Sequence, residues 1–389
     1  MTQTPLNILM ISKTLPHTFK GGIQTHVWEL SKWLIKLGHN VSILTSGSMK
    51  KGLFMWEADK RKIIELPYLP GRKIPTLGLA LEEYFFNRSV KNFLKKHAQK
   101  YDIVHLQGRS GYLFPEYNHK NKQTTTITTI HGIAKVESKN ALNSNTELPR
   151  KIHAKFAEHF EYKQLKFSNG LIAVSTETKQ MLRREFPDIL KPVEIINNGI
   201  DINDFKPRND IKEKTNQLLF VGRLDAIKGI IPLVKTMQLL PQAHLKVIGD
   251  GEEKENIKSL IQELQLKNVT LLGAQPIEEV RKHIYESYAL VLPSFYETQG
   301  IVSMEANACM KPVAASNING IKEVVKDGYN GILFEPGNIN DMAEKISFLL
   351  NNKEDAKKMG KNGRKLMEEK FSWKKIAMQT ITFYNRRLN

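Results

Sequence analysis

Short unbroken apolar runs alternate with stretches in which apolar residues recur every three or four positions, and this alternation continues along almost the whole chain. Ile8-Leu9-Met10-Ile11 is the first such run, and it predicts a buried strand. After the loop carrying Gly21-Gly22, the positions Ile23, Val27, Leu30, Trp33, Leu34 and Leu37 mark one buried face of a helix. Gly38 stops that helix, and Val41-Ser42-Ile43-Leu44 is a second strand. Strand, glycine loop, helix and strand make the βα unit of a parallel sheet. Further strands are expected at Tyr101–His105, Thr124–Ile130, Leu171–Ser175 and Val193–Ile196, with helices over about 150–167 and from Ser175-Thr176-Glu177 onward.

The stretch 203–216 is polar and carries Pro207, Asn209 and Asp210, so it reads as a linker. Beyond it the alternation resumes. Strands are expected at Leu218–Leu224, His244–Ile248, Val269–Leu272, Ala289–Pro293, Pro312–Ala315 and Gly331–Phe334. Helices are expected over 253–264, 277–287, 301–310, 339–350 and 354–369, and a final one begins at Phe371-Ser372-Trp373. A chain of 389 residues is long enough for two such α/β domains, each with its own core.

One segment departs from this regular pattern. Residues 49–100 are basic, with Lys50-Lys51, Lys60-Arg61-Lys62 and Arg72-Lys73 ahead of a predicted helix from Leu77 to Lys100. Leu81, Tyr84, Phe85, Val90, Phe93 and Leu94 recur there near helical spacing, with Arg88, Lys91, Lys95 and Lys96 among them. A basic amphipathic helix with aromatics can lie on an anionic bilayer, and a helix buried on one face and solvated on the other has the same pattern. The net charge is +18 and is unevenly spread: residues 1–190 hold 29 Lys/Arg against 15 Asp/Glu, the remainder 29 against 25. That asymmetry points the first half at something anionic, a membrane surface or a lipid phosphate ahead of nucleic acid.

Composition narrows the classes further. A single Cys309 excludes internal disulfides and cysteine metal clusters and suits a reducing compartment. The apolar run at 8–11 is too short for a secretory core, and no stretch approaches a spanning helix, so the expectation is a cytoplasmic protein peripherally associated with the membrane. There is no D-x-D pair and no His/Cys metal spacing, so neither a cofactor nor a metal is expected.

The candidate chemistry lies at loops that follow predicted strands. Glu297 and Glu305 stand eight residues apart across the junction between a loop and the helix beginning near Ile301. With Ile301 opening that helix, Glu305 falls one turn in, and Gly300 and Ile301 offer free backbone N–H groups that favour an anion such as a phosphate. Two solvated acids on an ordinary strand–loop–helix unit read the same way. Arg223 and Lys228 follow another strand and open a helix, where the dipole prefers acids; positive charge placed there suits a diphosphate. His131-Gly132 follows the strand ending at Ile130, at the end of an open sheet where ligands bind, although a loop-capping role fits equally.

The segment LPSFYETQGIVSMEANACMKPVAAS (292–316) resembles the donor-site signature of the retaining, family-four glycosyltransferases of the GT-B superfamily. Gly21, Gly22, Gly38-His39, Val41, His131-Gly132, Asn197-Asn198-Gly199-Ile200-Asp201 and Val221-Gly222-Arg223-Leu224 with Lys228-Gly229 match further motifs of that family in order. The resemblance implies an α/β GT-B fold of two Rossmann-like, doubly wound parallel-sheet domains with a cleft between them. It divides the chain into an acceptor-binding domain over 1–200, a nucleotide-sugar domain over 201–370 and a helix over 371–389 that crosses back. It also implies transfer of a hexosyl unit, with retention and without metal, from a nucleotide-diphosphate sugar: a UDP-sugar first, GDP-mannose next. Glu297 and His131 would be the catalytic pair. Gly22, Arg223, Lys228, Gly300, Ile301, Glu305 and Gln275 would bind the donor, Glu305 through its ribose and Gln275 near the base. Two positions depart from the family, which usually has glycine where this chain has Gln299 and Met310. The first is expected to perturb main-chain contacts to the diphosphate, the second to be a packing difference.

The acceptor expected from the basic first half is a hydroxyl on a membrane-associated lipid or a growing surface glycan, with an anionic membrane surface as partner and no nucleic acid. A GT-B-type nucleotide-sugar epimerase and a nucleotide-sugar-binding protein without transferase activity are the alternatives.

Overall fold

The computed structural model describes residues 4–18, 21–71, 77–136, 148–208 and 210–388. Arg72 and Lys73 of the basic segment, the 137–147 part of an expected polar loop over 134–150, and Asn209 of the expected linker lie outside the described residues. The chain divides into two compact units, one running to Gly199 and taking up the chain again from Trp373, the other Ile200–Ser372. The stretch 203–216 lies in the second unit, and Ile200 and Phe205 are buried in that unit's core.

The first unit is built on an eight-stranded sheet. Its strands are β1 (Asn7–Ile11), β2 (Asn40–Gly47), β3 (Phe54–Ala58), β4 (Arg61–Pro67), β5 (Ile103–Gln107), β6 (Thr125–Ile130), β7 (Gly170–Ala173) and β8 (Val193–Ile195). The spatial order is β3-β4-β2-β1-β5-β6-β7-β8, and every neighbouring pair is parallel except β3 with β4. Ile8 through Ile11 have no exposed surface, because a central parallel strand is covered on both faces and so must be apolar throughout. Helix α1 (Gly22–Lys36) buries Val27, Leu30 and Leu34 on this sheet, as the spacing requires. Its end is closed by Gly38 (φ 92°), whose N–H bonds to Ile35 O while His39 N–H reaches Leu34 O. His39 Nδ1 in turn accepts from Leu6 N–H at 3.1 Å, so this histidine ties the helix exit to β1.

Two findings amend the reading of the basic segment. Residues 49–67 hold a 3₁₀ turn (Met49–Lys51) and the antiparallel pair β3–β4, which the pattern did not predict. The helix over Leu77–Lys100 is present as α2 (Gly78–His97), but its apolar face is committed to the protein. Phe86, Val90 and Leu94 are fully buried against Leu9, Ile64, Leu66 and Val104, and Tyr84 packs edge-on to Phe156. Of the aromatics expected to suit a bilayer, Tyr84, Phe85 and Phe93 are part-buried, Tyr84 against Phe156 and Phe93 against this same core.

Helices α3 (Phe114–Asn121), α4 (Leu148–Phe167) and α5 (Thr176–Glu185) also belong to this unit, the last capped by Ser175 Oγ, which accepts from Thr178 N–H at 3.1 Å.

The second unit has a six-stranded, wholly parallel sheet in the order β11-β10-β9-β12-β13-β14. Its strands are β9 (Gln217–Val221), β10 (His244–Ile248), β11 (Val269–Gly273), β12 (Ala289–Leu292), β13 (Val313–Ser316) and β14 (Gly331–Phe334). Helices α6 (Ile230–Thr236), α7 (Lys254–Glu263), α8 (Ile277–Glu286), α9 (Ile301–Ala308), α10 (Asn319–Lys322), α11 (Ile339–Asn351) and α12 (Lys353–Leu366) cover its two faces. The strand order reverses between β9 and β12, and at such a switch point the loops diverge and leave a crevice for a ligand. The chain ends in α13 (Trp373–Leu388), whose Trp373, Ile376, Ile381, Phe383 and Tyr384 are buried in the first unit's core.

Met310 follows α9 with φ 59°, the left-handed region. The glycine usual in the family fits here for its backbone freedom, so the packing difference expected from the sequence gives way to a conformational one. Gln299 is buried and is not among the non-glycine residues of positive φ, so its backbone does not call for glycine.

Candidate functional site

In the second unit, the loops leaving β9 and β12 meet at the switch point. The β9 loop turns through a 3₁₀ segment (Ala226–Lys228), capped by Asp225, whose Oδ1 accepts from Lys228 N–H at 3.1 Å. Two contacts then staple it to the β12 loop. Phe295 N–H donates to Ile227 O at 2.8 Å, and Gly229, at φ 66°, lies so close that a Cβ there would stand 2.0 Å from Pro293 O. This approach brings the Lys228 ammonium onto Glu297 Oε1 in a part-buried ion pair, with Ser294 Oγ at 3.4 Å from the same oxygen. Behind it, a Cβ on Gly320 would stand 1.9 Å from Glu297 O, so the acid's backbone is wedged from both sides.

Gly229→Ala meets both a left-handed φ and a backbone clash. The expected result is a loss of at least about 2 kcal/mol in denaturant unfolding, together with weakened nucleotide binding. An unchanged unfolding midpoint would show that the two loops are not stapled.

The sequence pairs Arg223 with Lys228, and the structure gives them different settings. Arg223 points outward with 77% of its side chain exposed and bonds Asp225 Oδ2 at 3.0 Å, while Lys228 is turned in toward Glu297. Gly300 (φ 67°) opens α9 from the left-handed region, and a Cβ there would stand 3.0 Å from Leu292 Cδ2. Ile301 is the first helical residue and Glu305 lies one turn in, as the spacing predicts. Gln275 follows β11 and folds its amide back, Nε2 donating to Leu272 O at 2.7 Å. The neighbouring register between β10 and β11 slips by one residue at Val247/Ile248, a bulge at the same strand ends.

Burial raises the Glu305 carboxyl to about 7, against the opposing pull of Arg281. Its folded value therefore exceeds the unfolded one, so its contribution to stability is intact below about 4.5 and is lost as pH rises through about 7. Glu305→Gln should raise the melting temperature at pH 8, through a gain on the order of 2 kcal/mol once screening is allowed for, and leave it unchanged at pH 4. An equal shift at both pH values would remove burial of the charge as the cause.

In the first unit, His131 lies just past β6 and is one end of a hydrogen-bonded row. His131 Nε2 bonds Gln107 Oε1 (2.9 Å), and Gln107 Nε2 reaches His105 Nε2 (3.2 Å). Thr129 Oγ1 bonds the same nitrogen (2.6 Å), and His105 Nδ1 bonds the Tyr384 hydroxyl (2.6 Å). With the Gln107 carbonyl on His131, that histidine carries its proton on Nε2, and His105 carries its own on Nδ1, donating to Tyr384. His26, on α1, packs edge-on to the His131 ring at 4.8 Å and bonds Asn198 Oδ1 through Nδ1 at 2.8 Å.

Burial keeps all three imidazoles neutral. His26 is lowered to about 4 and His105 to about 3, while His131 falls well below its ordinary value through burial and its two histidine neighbours. Only His131 of this group stood out in the sequence. His105 reads as one more core position of a buried strand, and Tyr384 lies 279 residues away on the last helix. Gly21 and Gly22 are at the exposed start of α1, with Gly21 extended at its N-cap. Among the described residues no three His, Cys, Asp or Glu side chains cluster to hold a metal ion, and no helix is long and apolar enough to cross a membrane.

Two family models divide the chain between them. "Glycosyltransferase Family 4" matches residues 20–204 and "Glycosyl transferases group 1" matches residues 201–366. An uncharacterized glycosyltransferase of Methanocaldococcus jannaschii is 31% identical over 97% of this chain and 98% of its own length. The D-inositol 3-phosphate glycosyltransferase of Corynebacterium glutamicum is 25% identical, covering 94% of this chain and 91% of that protein. Among solved structures, a sucrose-phosphate synthase from Thermosynechococcus elongatus superposes with a TM-score of 0.80 at 24% identity, over 97% of this chain and 98% of that one. Two parallel-sheet α/β units, the loops at their switch points and a full-length relative above 30% identity together place this chain in the family-four, group 1 glycosyltransferases of GT-B fold.

Proposed function

We propose that this glycosyltransferase moves a hexosyl unit, with retention at the anomeric carbon, from a nucleotide-diphosphate sugar to a hydroxyl of a lipid-linked or glycan acceptor. UDP-sugars are the favoured donors and GDP-mannose the next. The observation that carries the reading is the Lys228–Glu297 pair held by two stapled loops at the switch point of the second sheet. A diphosphate arriving there supplies Lys228 with a new counter-ion, and this frees the Glu297 carboxylate to accept from sugar hydroxyls. Arg223, exposed and paired with Asp225, turns to the diphosphate as a bidentate fork. The N–H groups of Gly300 and Ile301 add positive potential at the start of α9, Glu305 accepts from the ribose, and Gln275 lies by the base.

In the reaction the bond from the anomeric carbon to the leaving phosphate oxygen breaks while the acceptor oxygen bonds the same face. The departing phosphate takes the acceptor's proton, so no separate base is required. Charge growing on the diphosphate meets Lys228 and the Arg223 that has closed on it, and needs no metal. Positive charge growing on the sugar meets a neutral His131, which holds the sugar edge without repelling it. Gly22, the first residue of α1, is assigned to the donor phosphates through its main-chain N–H.

The net charge of the first 190 residues supports a peripheral, membrane-facing acceptor on the cytoplasmic side, and the phosphate-bearing acceptor named for the Corynebacterium relative is compatible with it. Proton NMR of the product formed in the presence of EDTA tests the chemistry. Retention of the donor's anomeric configuration with turnover intact is expected. An inverted linkage, a free epimerised nucleotide sugar, or turnover abolished by EDTA would contradict it.

A further inference from the structure

Among the described residues most exposed large apolar side chains are scattered along the chain, but one short stretch groups several of them. Met49, Leu53, Phe54 and Met55 are 52%, 51%, 42% and 44% exposed, four such residues within seven positions. They lead into and open β3, the edge strand of the first unit's sheet, which is hydrogen-bonded on one side only. Phe54 and Met55 are consecutive, so their side chains leave opposite faces of the strand, yet both are exposed. Phe54 and Met55 pair with Glu65 and Ile64 of β4 in the ladder, and the outer parts of their side chains stay open on the two faces.

Charge surrounds these residues. Lys50 and Lys51 are interleaved with them, and the Lys51 ammonium lies 5.4 Å from the Phe54 ring. Lys60 and Lys62 are exposed on the returning arm. The opposing acids are few and partly engaged: Asp59 bonds Arg61 at 2.8 Å, and Glu57 lies opposite Lys62 in the register. Residues 49–62 hold five Lys/Arg against two acids. A solvated loop has no need of Phe and Met, and a core has no room for four lysines; the mixture suits the boundary between headgroups and acyl chains. Lysines flanking an edge strand also oppose its pairing with a second copy of a chain whose net charge is +18.

We propose that the Met49–Lys62 hairpin docks the protein on an anionic bilayer, Phe54 and its apolar neighbours entering the interface while the lysines meet lipid phosphates. This deepens the reading of a membrane-associated acceptor and rests on it. It also moves the contact from α2, whose apolar face is packed against the protein, to the edge hairpin.

Co-sedimentation with vesicles of phosphatidylcholine alone and with phosphatidylglycerol added, without donor, tests the proposal. The wild-type chain should bind the anionic vesicles alone and leave them as salt rises. Phe54→Asp/Met55→Asp should bind at least tenfold more weakly, and Lys50→Glu/Lys51→Glu should lose about fivefold per lysine. Both variants should keep the wild-type melting temperature and nucleotide-sugar affinity, because these side chains are exposed. Wild-type binding by either variant, no binding of the wild type to anionic vesicles, or salt-insensitive binding to phosphatidylcholine would overturn the proposal. So would self-association of the wild type abolished by the apolar pair of changes, which would make the hairpin a self-interface. Vesicle binding is read without turnover, so these outcomes leave the transferase reading standing, and a chain that docks but releases no nucleotide would sink only the latter.

Discussion

Glu297→Gln should lower turnover by about 10²–10³ while leaving donor affinity equal to or tighter than that of the wild type. In the ligand-free protein the Glu297 carboxylate is the counter-ion of Lys228, and both are largely shielded from water. Removing the acid's charge leaves the ammonium without that partner, ready for a diphosphate, so ground-state binding does not suffer. Transition-state stabilisation does, because the neutral amide accepts sugar hydroxyls less strongly as the ring gains positive charge. Lys228→Ala should behave differently, raising the KM for donor at least tenfold and leaving a partly buried carboxylate unpaired. The double variant should be much less impaired than the product of the two single losses, since each partner exists in the other's context. Steady-state kinetics on the four proteins of the cycle decide this. Additive losses would mean that the ion pair is incidental to the chemistry.

The second large effect is expected at the histidine row. His131→Ala should lower turnover by about 10²-fold, the range for one well-placed polar contact in a transition state. Gln107→Glu is the more informative change, since Gln107 orients His131 through its carbonyl and is itself fixed by His105. A carboxylate at that position favours the imidazolium and raises the His131 pKa from its present depressed value. Turnover by this variant should acquire a pH dependence additional to any the wild type shows, falling as pH drops through the raised value and His131 becomes charged against a cationic sugar. Gln107→Leu, which removes the orienting bond without adding charge, should lower turnover about tenfold with no new titration. Identical pH profiles for wild type and Gln107→Glu would show that Gln107 does not govern His131.

The parts of the fold legible in the sequence are those whose burial is complete. Ile8–Ile11 of β1 and all of β12 are apolar because helices cover both faces of a parallel strand, and α1 shows its buried face at helical spacing. The β3–β4 hairpin was hidden because an edge strand has little to bury and its lysines and acids break the alternation. Arg88, Lys91, Lys95 and Lys96 give α2 a membrane-directed look, whereas Phe86, Val90 and Leu94 commit its apolar face to the core.

In the candidate site, single residues were visible and their partnerships were not. Glu297, Glu305, Arg223 and Lys228 stand out as charges beside strand ends, but the sequence coupled the two cations, whereas the structure couples Lys228 to an acid 69 residues away. The staple that enforces this depends on Gly229 against Pro293, a backbone contact with no side-chain signature. The row from His131 to Tyr384 is assembled by the sheet and the last helix, and no local pattern in the chain announces it.

The central claim, glycosyl transfer from a nucleotide sugar bound by Lys228 and Glu297, is met most directly by measuring nucleotide release from UDP-, GDP- and ADP-sugars, with and without a polar lipid extract. Release that requires lipid, is fastest with a UDP-sugar and is lost in Glu297→Ala and Arg223→Ala is the predicted result. Release from no donor, or release that persists undiminished in both variants, would contradict it.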